Sequence, residues 1–212
     1  MKLLRIGCLA SHNGTNVQAV IDACSSQRLS AEVVVVISNN SGSQVLRRAS
    51  RAKIPSVHLS SSTHPRADDL DNAIRRTLEK NGAELIVLAG YMKPIGPKVL
   101  AAYKPRIVNI HPSLLPKYGG KSMFGHRVHE AVLDSGEKIT GATVHLVDSE
   151  YDRGRIITQS KVEVLQNDSV GSLSTRVLNR EHSLLVDTIE RIISGKTDLQ
   201  SIADGKQAKI YI

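Results

Sequence analysis

The chain has 212 residues, 41% of them hydrophobic, which suits a globular protein with a substantial core and argues against a disordered or fibrous one. Its 28 basic and 20 acidic side chains give a formal net charge of +8, which favours anionic ligands such as phosphates or carboxylates. A nucleic-acid partner is disfavoured, because one Phe, five Tyr and no Trp offer few rings on which bases could stack.

The cysteines and the apolar segments indicate the compartment. Cys8 and Cys24 lie in apolar surroundings, as buried thiols of a reducing compartment do. Arg5 interrupts the apolar amino terminus, which lacks the long apolar core of a signal peptide. No apolar run reaches the roughly 20 residues that a membrane-spanning helix requires. We therefore expect a cytoplasmic protein with no membrane partner, acting as a monomer or homodimer.

The first half of the chain alternates strand and helix patterns. Apolar segments predict strands at residues 3–10, 31–38, 56–59, 84–89 and 106–110. Helical apolar patterns lie between them: one helix after the turn at 11–16, a short helix around 45–49, one at about 67–81 and a short one near 97–102. Repeated strand–helix units predict an α/β fold with a doubly wound, mainly parallel sheet and helices on both faces.

The second half changes character. Residues 128–133 predict a short helix, and 139–147 and 156–164 predict two strands that extend the sheet. The pattern at 169–193 predicts a long helix, either continuous or with a break near Arg180. The turn-rich stretch 148–154 joins these strands and should lie near the end of the strand at 106–110. Because no repeat or linker separates the segments, we predict a single domain over residues 1–212.

Two polar residues at the end of a buried strand are the first candidates for chemistry. Residues 106–116 read Arg-Ile-Val-Asn-Ile-His-Pro-Ser-Leu-Leu-Pro, and Asn109 and His111 share one face of an extended strand. Pro112 favours an extended His111 and offers no backbone donor. Open α/β sheets hold their ligands at this end of their strands. From these residues alone, an Asn and a His that merely satisfy loop carbonyls remain an alternative.

A second candidate lies in the turn between the first strand and the first helix. Gly14, Thr15 and Asn16 offer backbone N–H groups, a hydroxyl and the positive end of a helix, which suit a phosphate. A glycine turn can also be a plain connection. A dinucleotide site is disfavoured, because the turn lacks G-x-G-x-x-G and the second strand ends at Asn39 rather than at an acid.

Two other kinds of site are disfavoured. His126 and His129 have the helical spacing of metal ligands, but no His-Glu-x-x-His or cysteine ligand accompanies them, so we predict no metal. No Gly-x-Ser-x-Gly motif indicates a serine hydrolase.

The run at 109–120, Asn-Ile-His-Pro-Ser-Leu-Leu-Pro-Lys-Tyr-Gly-Gly, resembles the signature of the folate-dependent formyltransferases. Within that family it is most similar to the enzymes that formylate phosphoribosylglycinamide in purine synthesis, and the resemblance extends over about residues 3–193. It implies a formyltransferase fold, 10-formyltetrahydrofolate as co-substrate and phosphoribosylglycinamide as acceptor. The ribonucleotide side would lie in roughly 1–100, and the folate and catalytic side in roughly 88–195.

The same resemblance implies the roles of individual residues. Asn109, His111 and Asp152 correspond to the catalytic set, and Asp152 lies in an Asp-x-Gly turn that follows Val-His-x-Val. In that reaction a protonated His111 would stabilise the oxyanion together with Asn109; Asp152 favours this charge and burial opposes it. His145 of Val-His-x-Val is either a supporting group or simply a buried imidazole. Glu181 corresponds to a residue that contacts the ribose hydroxyls.

The remaining implied residues bind the two ligands. The phosphate is assigned to Gly14, Thr15 and Asn16, and the folate to Arg66, Tyr91, Met92, Lys93, Pro94, Ile95 and Asn109. The chain departs from the family pattern at three positions. His12 stands where relatives have glycine, Arg155 where they often have Pro or Gln, and Leu178 where they often have a polar residue. Alternative functions are formyltetrahydrofolate hydrolysis, formyl transfer to a sugar amine, and non-catalytic binding of a phosphorylated metabolite.

Overall fold

The computed structural model describes residues 2–206 and the backbone of residues 210 and 211. The elements in chain order are β1 Leu4–Leu9, α1 Thr15–Ser25, β2 Ala31–Ser38, α2 Gln44–Arg51, β3 Ser56–His58, α3 Ala67–Lys80, β4 Leu85–Ala89, α4 Pro97–Tyr103, β5 Ile107–His111, α5 His126–Asp134, β6 Ile139–Leu146, β7 Ile156–Glu163, α6 Val170–Ile193, α7 Leu199–Ala203 and β8 Ile210–Tyr211. The chain forms two compact units, Met1–Val108 and Asn109–Ile212.

The first unit is a parallel sheet with the strand order β3-β2-β1-β4. β2 is buried along nearly its whole length, because its run of β-branched residues is covered on both faces. α1 buries Val17, Val20 and Ile21, the apolar positions that its helical spacing predicts. Because parallel strands end at the same edge, the segments that follow β1, β2 and β4 emerge side by side.

The second unit begins at the last three residues of β5. β5 lies beside β6, which pairs with β7 in antiparallel fashion, and β8 pairs with β7 in parallel. α6 is one continuous helix of 24 residues that begins with a capping box between Ser169 and Ser172. A small core of this unit joins α5, α6 and β7 through Val132, Val162, Leu173 and Val177.

Most predicted elements are confirmed to within two residues, and so is the mainly parallel α/β fold. The long helix at 169–193 is confirmed, and of the two alternatives near Arg180 it is the continuous helix that forms. The only Gly of α6, Gly171, lies in its first turn and far from Arg180, and Leu173, Val177 and Leu184 continue one buried face past Arg180. α7 and β8 lie in the tail for which no element was predicted.

Both cysteines of the chain are free. Cys8 is buried and Cys24 partly buried, both as free thiols, and burial raises the pKa of the Cys24 thiol to about 11. In the part of the chain that the structure describes, no helix is long and apolar enough to cross a membrane. The single domain over residues 1–212 stays a prediction.

Candidate active site

β5 presents the two strand-end residues as the sequence predicts. Ile107, Val108 and Ile110 are buried in the core, whereas Asn109 is half-buried and His111 is 4% exposed. Both polar side chains share one face because strand positions alternate. Pro112 follows at the point where the strand ends. β5 therefore places an amide and an imidazole together at its carboxyl end.

The loop between β6 and β7 brings Asp152 to these two residues. Asp152 has φ of 56°, in the left-handed region that Asp tolerates better than most residues. A side chain at Gly154 would place its Cβ 1.7 Å from the carbonyl oxygen of Leu146, so the Asp-x-Gly turn requires this glycine. The Asp152 carboxylate lies 3.4 Å from Asn109 Nδ2 and 3.5 Å from His111 Nδ1.

The two glycines that end the run at 109–120, Gly119 and Gly120, lie against Asp152. The backbone N–H of Gly120 donates to Asp152 Oδ2 at 2.9 Å. A Cβ on Gly119 would lie 2.4 Å from Leu115 Cδ2 and 3.2 Å from Asp152 Cβ. A side chain at Gly119 would therefore displace the end of Leu115 and press on Asp152. Sequence alone did not indicate that either glycine contacts Asp152.

His111 is held through both of its ring nitrogens. Nε2 lies 2.8 Å from the Tyr118 carbonyl oxygen, so Nε2 carries a proton and donates it. Nδ1 faces Asp152 Oδ2. Burial lowers the pKa of His111 below its ordinary value and outweighs the Asp152 carboxylate and the Tyr118 carbonyl, which both raise it. Burial thus prevails over the carboxylate in the free site, where the ring is neutral near pH 7.

Asp152 remains ionised at the same pH. Burial alone would raise the pKa of its carboxyl group, but the Gly120 N–H and the contacts with His145 and His111, which favour the ionised carboxylate when either ring donates a proton or carries a charge, together bring it below the ordinary value. An ionised carboxylate beside an imidazole and an amide can accept a proton while an N–H donor stabilises a developing oxyanion. This combination suits addition of a nucleophile to a carbonyl carbon.

His145 belongs to the same cluster. It is 2% exposed, and its Nε2 lies 3.0 Å from Asn109 Nδ2 and 3.5 Å from Asp152 Oδ1. The sequence left open whether His145 is a supporting group or only a buried imidazole. Its contact with Asn109 favours the first reading.

In the first unit, the turn after β1 has the shape of an anion site. Gly14 has φ of 66°, and a Cβ there would lie 2.3 Å from Val45 Cγ2, so this turn needs glycine. Gly14 has no side chain to cap α1, and the first turn of the helix carries no acid. Thr15 is half-buried, and Asn16 is buried with an Oδ1 that has no partner. These features leave the positive helix end available to a ligand.

Ser11 joins this turn to the stretch after β4, a contact that the sequence analysis missed. Its Oγ donates to Asn39 Oδ1 at 2.5 Å and accepts from the Met92 N–H at 2.7 Å. Its backbone N–H donates to the Gly90 carbonyl at 3.0 Å. Ser11 is 1% exposed. The only signal in the sequence is a serine directly before a glycine turn.

The other predicted ligand residues are placed as follows. Tyr91 is buried, Met92 and Ile95 are half-buried, and Lys93 and Pro94 are exposed. Arg66 precedes α3, with its side chain 78% exposed and its Nε 3.4 Å from Asp69 Oδ2. Glu181 is buried on α6, and the departing Leu178 lies half-buried one turn earlier. Among residues 2–206, no group of three or more His, Cys, Asp and Glu could hold a metal ion.

Known proteins match the chain over most of its length. Residues 4–189 match the family described as formyl transferase. The phosphoribosylglycinamide formyltransferase of Haemophilus influenzae is 36% identical over 205 residues, 95% of this chain and 94% of that protein. The chloroplastic phosphoribosylglycinamide formyltransferase of Arabidopsis thaliana is 36% identical over 189 residues, 89% of this chain, and the match spans only 65% of the plant protein.

A solved structure agrees in fold. Glycinamide ribonucleotide transformylase 1 from Symbiobacterium toebii has a TM-score of 0.85 and 38% identity, covering 92% of this chain and 89% of that one. The family match includes β1 to β7 and most of α6, with the Asn109, His111 and Asp152 cluster inside it. On sequence and fold together, the chain belongs to the formyl transferase family.

Proposed function

We propose that this protein transfers the formyl group of 10-formyltetrahydrofolate to the amine of phosphoribosylglycinamide, a step of purine biosynthesis. The observation that carries the proposal is the cluster in which the Asp152 carboxylate lies within 3.5 Å of both Asn109 Nδ2 and His111 Nδ1. We further propose that it acts in the cytoplasm, as a monomer or homodimer, on these small molecules and without nucleic acid or a metal.

The cluster supports an addition–elimination reaction. The amine lone pair attacks the formyl carbon, and the carbonyl electrons move to the oxygen, where an N–H of Asn109 stabilises the charge. Asp152 takes the amine proton, directly or through water. The bond from the formyl carbon to the folate nitrogen then breaks, and the proton passes to that nitrogen. The products are the formylated amine and tetrahydrofolate.

His111 contributes charge as the reaction proceeds. Burial keeps its pKa low in the free site, where only the Asp152 carboxylate and the Tyr118 carbonyl favour the imidazolium. A developing oxyanion adds a third favourable group, so the protonated ring is stabilised more in the transition state than in the free enzyme. The amine proton that Asp152 takes can pass to His111 Nδ1, which faces Asp152 Oδ2, before it reaches the folate nitrogen.

The ligand subsites follow from shape and charge. Phosphate would bind at Gly14, Thr15 and Asn16 on the amino end of α1, where backbone N–H groups and the helix dipole favour an anion. Asn16 Oδ1, buried without a partner, can accept from a ligand donor. Glu181 would bind the ribose hydroxyls.

The folate would bind against the stretch from Tyr91 to Ile95. Its acidic tail would meet the exposed Arg66, whose contact with Asp69 at 3.4 Å is weak enough to exchange.

The test is a spectrophotometric assay of folate deformylation with and without phosphoribosylglycinamide. Turnover that requires the ribonucleotide supports transfer. Turnover without an amine would indicate a hydrolase, and tight binding without turnover a binding protein. Asn109→Ala and His111→Ala should each lower kcat by roughly 10²–10³ while titration calorimetry still detects both ligands. Asn167→Ala, at an exposed loop position, is the matched control and should be near wild type.

A further inference from the structure

The hydrogen bonds of His145 define which of its nitrogens carries a proton. Nδ1 lies 2.8 Å from the Leu146 carbonyl oxygen, which can only accept, so Nδ1 is protonated. A neutral imidazole carries one ring proton, so Nε2, which lies 3.0 Å from the nearest atom of the Asn109 side-chain amide, offers its lone pair. The neutral ring with its proton on Nδ1 satisfies both partners.

This tautomer in turn selects the orientation of the Asn109 amide. If the amide were flipped, Oδ1 would face the lone pair of His145 Nε2 and the carboxylate of Asp152, two acceptors against a third. With Nδ2 toward them, one N–H is donated to His145 at 3.0 Å. The other lies 3.4 Å from Asp152 Oδ1, a long contact that a better acceptor can replace.

The two imidazoles that flank Asp152 therefore have different roles. His111 is protonated on Nε2 and turns Nδ1 toward Asp152 Oδ2, so it can gain a proton there. His145 has the opposite tautomer, and its Nε2 is already occupied by Asn109. A proton on that nitrogen would face the amide N–H and break the contact. His111 thus has a nitrogen free to receive a proton beside Asp152, whereas the corresponding nitrogen of His145 is used to hold Asn109.

We propose that His145 is a positioning residue: its Nδ1–H tautomer fixes the Asn109 amide so that an N–H, not the carbonyl oxygen, is presented to the reacting carbonyl. The inference rests on the proposed function for its kinetic consequence, but the tautomer itself can be tested without turnover. Burial of His145 at 2% exposure keeps water from replacing either contact.

Two substitutions at His145 separate positioning from packing. The Gln amide reaches the place of Nε2, and its oxygen can accept from Asn109. The shorter Asn reaches only the place of Nδ1, so it can donate to the Leu146 carbonyl but leaves Asn109 without an acceptor. We expect His145→Asn to lower kcat by about 10-fold or more with little change in either KM, and His145→Gln to recover most of that loss. Equal loss in both variants would overturn the assignment.

Coupling to Asn109 gives a second readout. If His145 acts through the amide, His145→Asn should cost little further activity in an Asn109→Ala background, whereas a structural role would cost as much as in the wild type. Nitrogen-15 NMR of labelled histidine in the wild-type protein should show His145 protonated on Nδ1 and not on Nε2. A proton on Nε2 would overturn the inference even if no formyl transfer were detected, whereas inactivity with the expected tautomer would count only against the proposed function.

Discussion

Replacing Asp152 with Asn is the sharpest test of the cluster, because it removes one charge and keeps the size of the side chain. The carboxylate lies 3.5 Å from His111 Nδ1 and accepts the Gly120 N–H at 2.9 Å. An amide there can keep an oxygen toward Gly120. It must then turn its NH₂ toward His145 and Asn109, where Asn109 already presents a donor. The substitution thus removes the proton acceptor and disturbs the amide that polarises the formyl group.

The size of the effect follows from the distance. Two unit charges 3.5 Å apart attract by about 5 kcal/mol at an effective dielectric constant of about 20. This is a ceiling for the stabilisation of a charged His111, because Asn keeps a dipole and desolvation opposes the pair. Since about 1.4 kcal/mol corresponds to a factor of ten, the ceiling is about three powers of ten in rate. We therefore expect kcat to fall roughly 10²–10³-fold.

The assay is formyl transfer under saturating substrates, with ligand affinities measured by titration calorimetry. Both affinities should change little, and the His111 resonance of labelled histidine should titrate at lower pH than in the wild type, because the imidazolium loses its counter-charge. Asp148→Asn is the matched control, since Asp148 lies in the same loop and accepts only the Glu150 N–H at 2.9 Å among the contacts described. Near-normal turnover with an unmoved His111 titration would show that Asp152 is merely a loop residue.

Three further changes test other parts of the molecule. Thr15→Asp places a carboxylate at the proposed phosphate turn and should raise the KM for the ribonucleotide with little effect on folate binding. Thr175→Asp, at an exposed position of α6, is the control and should leave that KM unchanged. An unchanged KM in Thr15→Asp would exclude the phosphate from this turn. Ser11→Ala leaves a backbone N–H of the stretch 90–95 without its acceptor and should lower the free energy of unfolding in urea by about 1–3 kcal/mol; no change would mean that water replaces the hydroxyl. Burial lowers the pKa of His129 to about 4 in the folded protein, so as the pH falls below about 6.5 His129 is protonated in the unfolded chain before it is protonated in the folded one. The free energy of unfolding should therefore fall by about 2 kcal/mol between about pH 7 and pH 5. His129→Gln should lose most of this pH dependence, whereas the control His126→Gln, at an exposed position, should keep almost all of it. An unchanged pH dependence in His129→Gln would contradict the assignment.

The elements that carry the fold were predictable because their signals are local. β2 has the predicted bounds, because a continuous run of β-branched residues is typical of a parallel strand that is covered on both faces. The continuity of α6 past Arg180 depends on its buried face, which continues beneath the polar residues around Arg180. Asn109 and His111 could be paired from strand alternation alone, whereas Asp152 was assigned by family resemblance.

What the sequence could not predict are contacts that depend on loop backbone. The carbonyl of Tyr118 defines the protonated nitrogen of His111, yet any residue at that position supplies a carbonyl. The same holds for the Gly120 N–H and for the Leu146 carbonyl that selects the tautomer of His145. Side-chain identity gives the chemical groups of a site, but these backbone groups determine their protonation and orientation.

The two imidazoles that face Asp152 have different roles: one can carry a charge beside the carboxylate, and the other holds the Asn109 amide in place. Each of its oxygens faces one imidazole at 3.5 Å, but the two rings have opposite tautomers because different backbone carbonyls take their protons. The ring whose free nitrogen faces the carboxylate without another donor can become charged during the reaction. The unprotonated nitrogen of the other ring accepts a hydrogen bond from Asn109 and so fixes the orientation of the amide. If both rings had the same tautomer, either Asn109 would lose its acceptor or His111 would have no site for a second proton beside Asp152.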